Sequence, residues 1–299
     1  MNKKIKTNKC NCIICGQYRE CSLEHIIPKA LGNETLKTYD VCKDCNSKLG
    51  DNVDSYLSNN FFIQMIRQAL GIAGQSGKIP NPFKNGIDEN GRPISVDQDF
   101  KPHIIPNSKV NGSKLHIIAE TKEQVIEIGL KSLKRMNADD DLIQQFLKTV
   151  EAAPVHEISP TLSYDVKIDC NRLYLAALKI AYEYAFLKLG EDYRMDSAAE
   201  KIRTVLRDAT SGNYNKLYQK VSFAPKILTD RIKSASHIPC HLIMIGPDKN
   251  HQLIVNIFLF MSAAFSFSVC VSENAMQYQK LFKEDSAITD IIDIRVSNN

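Results

Sequence analysis

Apolar positions follow three regimes along the chain. Between Cys12 and Cys45 they come in short clusters, such as Ile13-Ile14 and Ile26-Ile27, between polar and glycine punctuation, too little to build a core alone. From Cys42 to Leu57, the residues Leu49, Val53, Tyr56 and Leu57 recur at helical spacing and predict a helix. Gly50 inside it costs stability relative to alanine and permits a close approach by backbone or ligand. Asn59 to Leu70 predicts a second apolar helix that docks this module onto the rest. Residues 71–113 are rich in Gly, Pro and Asn and read as connector, hairpin tips and irregular structure.

Beyond the connector the periodicity alternates between helix and strand. Lys114 to Glu120 predicts a strand, Thr121 caps a helix through Met136, and Asp139 to Val150 is another helix. Val155 to Ile168 alternates like a strand pair interrupted by Pro160. Asn171 to Leu189 is apolar around much of its circumference, which makes it the central core helix, with Tyr174, Tyr182, Tyr184 and Phe186 read as core. Asp196 to Ala209 is amphipathic and carries Lys201, Arg203 and Arg207, a face read as solvated rather than DNA-binding. The tail predicts strands at His241–Ile245, Leu253–Phe260, Ala264–Val271 and Ile288–Val296, with a hairpin at GPDKN and a short helix near Gln277. The expected fold class is therefore α+β: a small N-terminal module over 1–70, a connector over 71–113, and a larger α+β domain with an antiparallel sheet over 114–299.

Composition narrows the class without naming it. The chain has 299 residues, 43% hydrophobic and 24% charged, enough apolar matter for most of it to fold without metals. A net charge of +4 is mildly favourable for a polyanion but weaker than that of a dedicated nucleic-acid coat. The basic start is followed by no apolar stretch of a signal peptide, and Leu253–Val271 is interrupted by Asn256 and serines. The expectation is a cytoplasmic chain with no membrane partner.

Six of the nine cysteines lie in the first 45 residues: Cys10, Cys12, Cys15, Cys21, Cys42 and Cys45. Such clustering predicts a metal-stapled module rather than a disulfide set. The pairs Cys12–Cys15 and Cys42–Cys45 have the spacing of two zinc knuckles, and four thiolates suit a closed, structural Zn²⁺ site. Cys10 and Cys21 are left over and read as spare thiols. Between the knuckles lies Glu24-His25-Ile26-Ile27-Pro28. An acid beside a histidine whose pKa lies near physiological pH is apt for phosphodiester hydrolysis, which needs a base for water and positive charge on the phosphate.

CIICG, EHIIPKALG and VCKDCN, followed by a Gly and an Asp, resemble the HNH endonuclease superfamily, in its four-cysteine branch with an EHIIP signature. The resemblance covers about residues 10 to 57. It implies a ββα-metal (HNH) fold, with Glu24 as acidic metal ligand, His25 as general base and Asn46 as second metal ligand; Cys12, Cys15, Cys42 and Cys45 match the zinc ligands. A carboxylate and a carboxamide are hard ligands, which favours Mg²⁺ or Mn²⁺ as catalytic ion. Many relatives carry an Asn shortly before the second CxxC to orient the base; Leu36 to Asp40 has none, so Thr38 or a backbone carbonyl is expected to hold His25. Asp54 reads either as support for the metal or as a solvated or capping acid. Lys29, Lys43 and Lys48 are phosphate contacts or solvated lysines.

The resulting expectation is a metal-dependent HNH endonuclease acting on double-stranded DNA, in the setting of restriction or antiphage defence. A homodimer would supply the two sites that a simultaneous double-strand cut needs. The alternatives are a non-catalytic zinc ribbon that binds nucleic acid or protein, and a nuclease gated by a small-molecule activator on the C-terminal domain. No glycine-rich phosphate loop supports the gated form. His237, Cys240 and His241 are read as structural rather than as a second metal site.

Overall fold

Short strands separated by turns fold the N-terminal region into an antiparallel meander of β1 (Lys9–Asn11), β2 (Tyr18–His25) and β3 (Lys37–Cys42). The computed structural model describes residues 9–74, 76–112, 114–157, 159–233, 239–282 and 287–295. The chain passes from β3 directly into α1 (Lys43–Leu49), a widened π turn (Gly50–Asp54) and α2 (Ser55–Ser58). The helix read over Cys42 to Leu57 is thus real but contains an i→i+5 turn, a feature that recurs at functional sites. Asn60 caps α3 (Phe61–Ala69), its side chain accepting from the Phe62 and Ile63 amides.

The next stretch is more regular than its composition implied. Residues read as connector form β4 (Gly86–Asp88), β5 (Pro93–Val96), β6 (Pro102–Ile104) and β7 (Asn107–Asn111), and β7 pairs with β8 (Lys114–Ile118). Helices α4 (Lys122–Arg135) and α5 (Asp140–Ala152) follow, capped by Thr121 and Asp139. Among the described residues only β9 (Leu162–Ser163) forms where a strand pair was expected over Val155 to Ile168, and Pro160 has no amide to donate to a ladder. β9 completes the sheet order β6-β5-β4-β9.

The remaining chain forms α6 (Cys170–Leu189), α7 (Ser197–Thr210), β10 (Val221–Phe223), α8 (Lys226–Lys233), β11 (Cys240–Pro247), β12 (Leu253–Phe258), β13 (Ser266–Ser272) and β14 (Ile288–Asp293). The strands make one antiparallel sheet in the order β10-β13-β12-β11-β14. The α+β class with antiparallel sheets is as expected. No helix among the described residues is long and apolar enough to cross a membrane.

Contacts divide the chain differently from the expected order of module, connector and domain. Residues 1–80 and 168–299 form one unit, and 81–167 form a second unit inserted between them. The physical reason is α6. It is buried on nearly every face, and one apolar cluster joins Ile13, Ile14 and Leu49 of the N-terminal module to Ala177, Ile180 and Ala181 of α6 and to Ile243 and Val255 of the sheet. The Tyr182 hydroxyl donates to the Ile13 carbonyl at 2.7 Å, and the Tyr184 hydroxyl donates to Asp290 at 2.6 Å. The module has too little apolar matter to close a core by itself and borrows α6 as its floor.

Candidate active site and zinc knuckle

The first knuckle is a turn whose geometry needs glycine. Gly16 has φ +72° and donates to the Cys12 carbonyl at 2.9 Å. Cys12 Sγ accepts from the Ile14 and Cys42 amides at 3.4 and 3.3 Å. Cys42 ends β3 and Cys45 lies in the first turn of α1, so the second pair meets the first at a strand–helix junction. All four sulfurs lie within 4.8 Å of one another, with Cys15 and Cys42 at 3.9 Å. A tetrahedron of Zn–S bonds of about 2.3 Å spaces its sulfurs by about 3.8 Å, so the quartet has the size for Zn²⁺. The Cys45 thiol hydrogen-bonded to Cys12, together with the amides, lowers Cys12 to about 4, the thiolate a metal needs. Cys10 and Cys21 are not spare thiols: they are paired as a disulfide across β1 and β2, with Cα atoms 5.9 Å apart.

The hairpin carrying Glu24 and His25 is irregular. Ser22 pairs with Val41 and Glu24 with Thr38, so Tyr39 and Asp40 together stand opposite Leu23. Along the strand Glu24 turns into the core, whereas His25 is half-buried at the rim of a cavity. The expectation that Thr38 holds His25 is not met, because the Thr38 hydroxyl donates to Asp40 at 2.5 Å. No side chain or carbonyl among the described residues hydrogen-bonds the His25 ring. The loop beyond it is held by Asn33, fully buried, whose amide donates to the Ile27 and Leu36 carbonyls at 2.6 and 2.9 Å and whose oxygen accepts from the Thr35 and Leu36 amides. His241 supports the same loop. Its Nε2 donates to the Leu31 carbonyl at 3.0 Å and its Nδ1 accepts from the Phe260 amide at 3.1 Å, so burial holds it neutral with both nitrogens in use. That excludes His241 as a metal ligand; His237 lies outside the described residues.

Behind Glu24 stands a group that sequence reasoning missed. The Lys179 ammonium, fully buried on α6, donates to Glu24, to Asp54 at 3.0 Å and to the His25 carbonyl at 3.2 Å, with Glu183 at 3.4 Å. Burial works against its charge, but the carboxylates of Asp54 and Glu24 outweigh that and keep it protonated. Burial pushes Glu183 well above the carboxylate range and Asp54 up to about 6. With Glu183 neutral, one ammonium faces the carboxyl groups of Glu24 and Asp54, and Asp54 Oδ1 is buried with no hydrogen-bond partner. On the adjoining helix face, Asn46 donates from Nδ2 to Ser22 Oγ at 3.0 Å and to the Leu23 carbonyl at 2.9 Å, and its carboxamide oxygen has no donor among the described residues. Asp54 ends the π turn that follows the helix of Asn46, and both side chains line the cavity of about 760 Å³ that Glu24 and His25 also line.

Residues 12–62 match the family model of the HNH endonucleases. No curated protein and no solved structure matches the chain. The HNH region so delimited contains the zinc quartet, Glu24, His25, Asn46 and Asp54, and supports a nuclease enzyme and a nucleic-acid substrate at the level of the family. HNH nucleases use metal ions. The residues present fit a hard divalent cation: an unpartnered Asp54 oxygen, a free Asn46 carboxamide oxygen and a negative charge in excess of Lys179. Lys29 lines the same cavity, while Lys43 and Lys48 do not; Lys48 pairs with Asp44 at 3.0 Å. Lys201 pairs with Glu273 at 3.6 Å on an exposed face of α7. The signal that would have found Lys179 is its setting: with Glu183 it interrupts the otherwise apolar run Leu175 to Phe186, and buried charges occur in partnered sets.

Proposed function

We propose that the chain is a metal-dependent endonuclease that hydrolyses the phosphodiester bonds of double-stranded DNA. The observation that carries this reading is the meeting of His25, Glu24, Asn46 and Asp54, drawn from a strand and a helix more than twenty residues apart, on one open cavity beside the zinc knuckle. His25 is the base. Burial, and then the charge of Lys37, holds its imidazole below its usual value, so it is neutral and able to accept a proton near pH 7. With no ring partner among the described residues, it is free to take that proton from water at the cavity. Glu24 and Asn46, with Asp54, would hold Mg²⁺ or Mn²⁺, which when bound supplies positive charge to the phosphate and leaving oxygen. Lys179 fixes the carboxylates of Glu24 and Asp54 in place from behind, and Cys12, Cys15, Cys42 and Cys45 would hold a structural Zn²⁺ that ties the hairpin to α1. The setting we propose, restriction or antiphage defence in the cytoplasm, rests on the resemblance alone, and a homodimer would place two such sites on one duplex.

One observation favours the ligand-gated variant. A cavity of about 360 Å³ at the start of α6 is lined by Tyr174, Tyr214 and Arg172. Arg172 stacks on Tyr214 at 3.9 Å and donates to the Asn52 carbonyl of the π turn at 2.7 Å, so a ligand there would touch the side chain that is tied to the helix between Asn46 and Asp54.

Cleavage of supercoiled plasmid with Mg²⁺ or Mn²⁺ tests the proposal, comparing the wild type with His25→Ala. Metal-dependent nicking by the wild type is expected, with a fall of about 10²-fold or more in His25→Ala. Cleavage that His25→Ala leaves intact would refute the assigned base, and no cleavage by zinc-loaded wild type would leave the gated or purely binding form.

A further inference from the structure

Arg67 lies on α3, beyond the family match, and its side chain lines the same cavity as His25. It is 4% exposed. Among the described residues its guanidinium makes one hydrogen bond, from Nη1 to the Ser58 carbonyl at 3.1 Å, and its buried Nε has no partner. No carboxylate among the described residues lies within ion-pair distance of it. Other arginines differ: Arg92 pairs with Asp88, Arg194 with Glu191 and Arg295 with Glu34. Burial alone acts on Arg67, lowering its pKa with no anion to oppose it.

A buried cation without an anion is costly, and buried charges are as a rule paired. Capping the end of α2 through Ser58 accounts for Nη1 only. Space beside the group is kept by Gly74, where an added Cβ would stand 3.2 Å from Nη2. The planar fork of a guanidinium matches two oxygens of a phosphate, which an ammonium does not. Resting on the nuclease reading above, we infer that Arg67 is the phosphate-binding residue of the His25 cavity, its free N–H groups clamping the non-bridging oxygens of a nucleic-acid phosphodiester. The exposed amines of Lys29 and Lys78 on the same cavity add attraction at longer range.

The test is equilibrium binding of a fluorescent duplex of about 20 base pairs to the full, zinc-loaded chain over a range of salt. The background is His25→Ala, so that the duplex survives, with Arg67→Gln and Arg67→Lys added separately. Arg67→Gln is expected to weaken binding about 10-fold and to lower the slope of log affinity against log salt by about one. Arg67→Lys should keep the slope and lose about 3-fold, since the charge stays and the fork goes. Unchanged affinity and slope in a folded, zinc-loaded Arg67→Gln chain would overturn the inference. Should that variant fail to fold, Arg67→Lys decides, and unchanged affinity there overturns it equally. Inorganic phosphate that competes with the duplex in the Arg67 chain but not in Arg67→Gln separates a phosphate clamp from a general electrostatic effect. Binding measured without cleavage is independent of the plasmid assay, so failure of the nuclease reading and failure of the Arg67 assignment register in different experiments.

Discussion

Lys179 and Glu183 stand one turn apart on α6, both fully buried, yet they differ in what the fold asks of them. Lys179 is the only cation within reach of Glu24 and Asp54 among the described residues, whereas Glu183 has neither carboxyl oxygen hydrogen-bonded and is held neutral by burial. Removing the cation strands buried carboxylates, a loss of roughly 3–5 kcal/mol, whereas exchanging a neutral carboxyl for an amide of the same shape costs about 1 kcal/mol. We therefore expect Lys179→Met to lower the denaturant midpoint severely and to lose plasmid cleavage, and Glu183→Gln to do neither. Equal losses in chemical denaturation would mean that Glu183 is ionised and the charge count of the cluster is wrong. The sequence made Glu24, His25 and Asn46 legible because their spacing is local to one motif. Lys179 was not legible because its meaning lies in a contact 155 residues away, and Arg67 because a buried guanidinium looks the same in sequence as a solvated one.

The hairpin, the knuckle and α1 act as one element, since the four sulfurs tie the Cys12 turn to the end of β3 and the start of α1. The CxxC spacing announced this, being a local pattern. Neither the extra residue opposite Leu23 nor the π turn was readable, because both depend on register and on packing against α6. The Cys10–Cys21 pairing escaped for the same reason: only the β1–β2 register brings those residues together. Metal binding at such an element is folding free energy. One zinc per chain is expected by elemental analysis, and a chelator that extracts it should lower the melting temperature by roughly 10 °C, about 3 kcal/mol for a unit of this size. Hydrogen exchange should then accelerate in β2 and β3 first, with the five-stranded sheet still protected. A chain that melts unchanged after losing its zinc would show that α6 alone holds the hairpin.

At the scale of the molecule, the insertion of 81–167 is what composition hid, since a Gly- and Pro-rich stretch reads as a boundary between consecutive domains rather than as the entrance to an inserted one. The buried core cluster passes from Ile72 directly to Leu173, with no described residue of 81–167 in it. The inserted unit is closed at its own base: Ile87 pairs with Ser163, Tyr164 donates to the Phe83 carbonyl at 3.4 Å, and the two rings pack edge to face at 5.5 Å. Entry and exit of the insert are therefore neighbours. The HNH region, by contrast, depends on the far end of the chain, where Lys179 holds Glu24, His241 holds Leu31, and the Arg295 amide donates to the Gly32 carbonyl at 3.0 Å. At Gly32, φ is +93° and an added Cβ would stand 2.7 Å from the Ile294 side chain, which leaves room for glycine alone. Two truncations should then behave oppositely. Replacing 81–167 by a short glycine-serine linker is expected to preserve zinc content and to shift the melting temperature by only about 5 °C, a change of about 1–2 kcal/mol. A chain ending at residue 167 keeps every motif of the nuclease but loses α6 and the sheet, and should neither melt cooperatively nor hold zinc tightly. If the shorter chain were to fold and bind zinc while the excised one aggregated, the N-terminal module would be autonomous and the shared core would not be what builds the site.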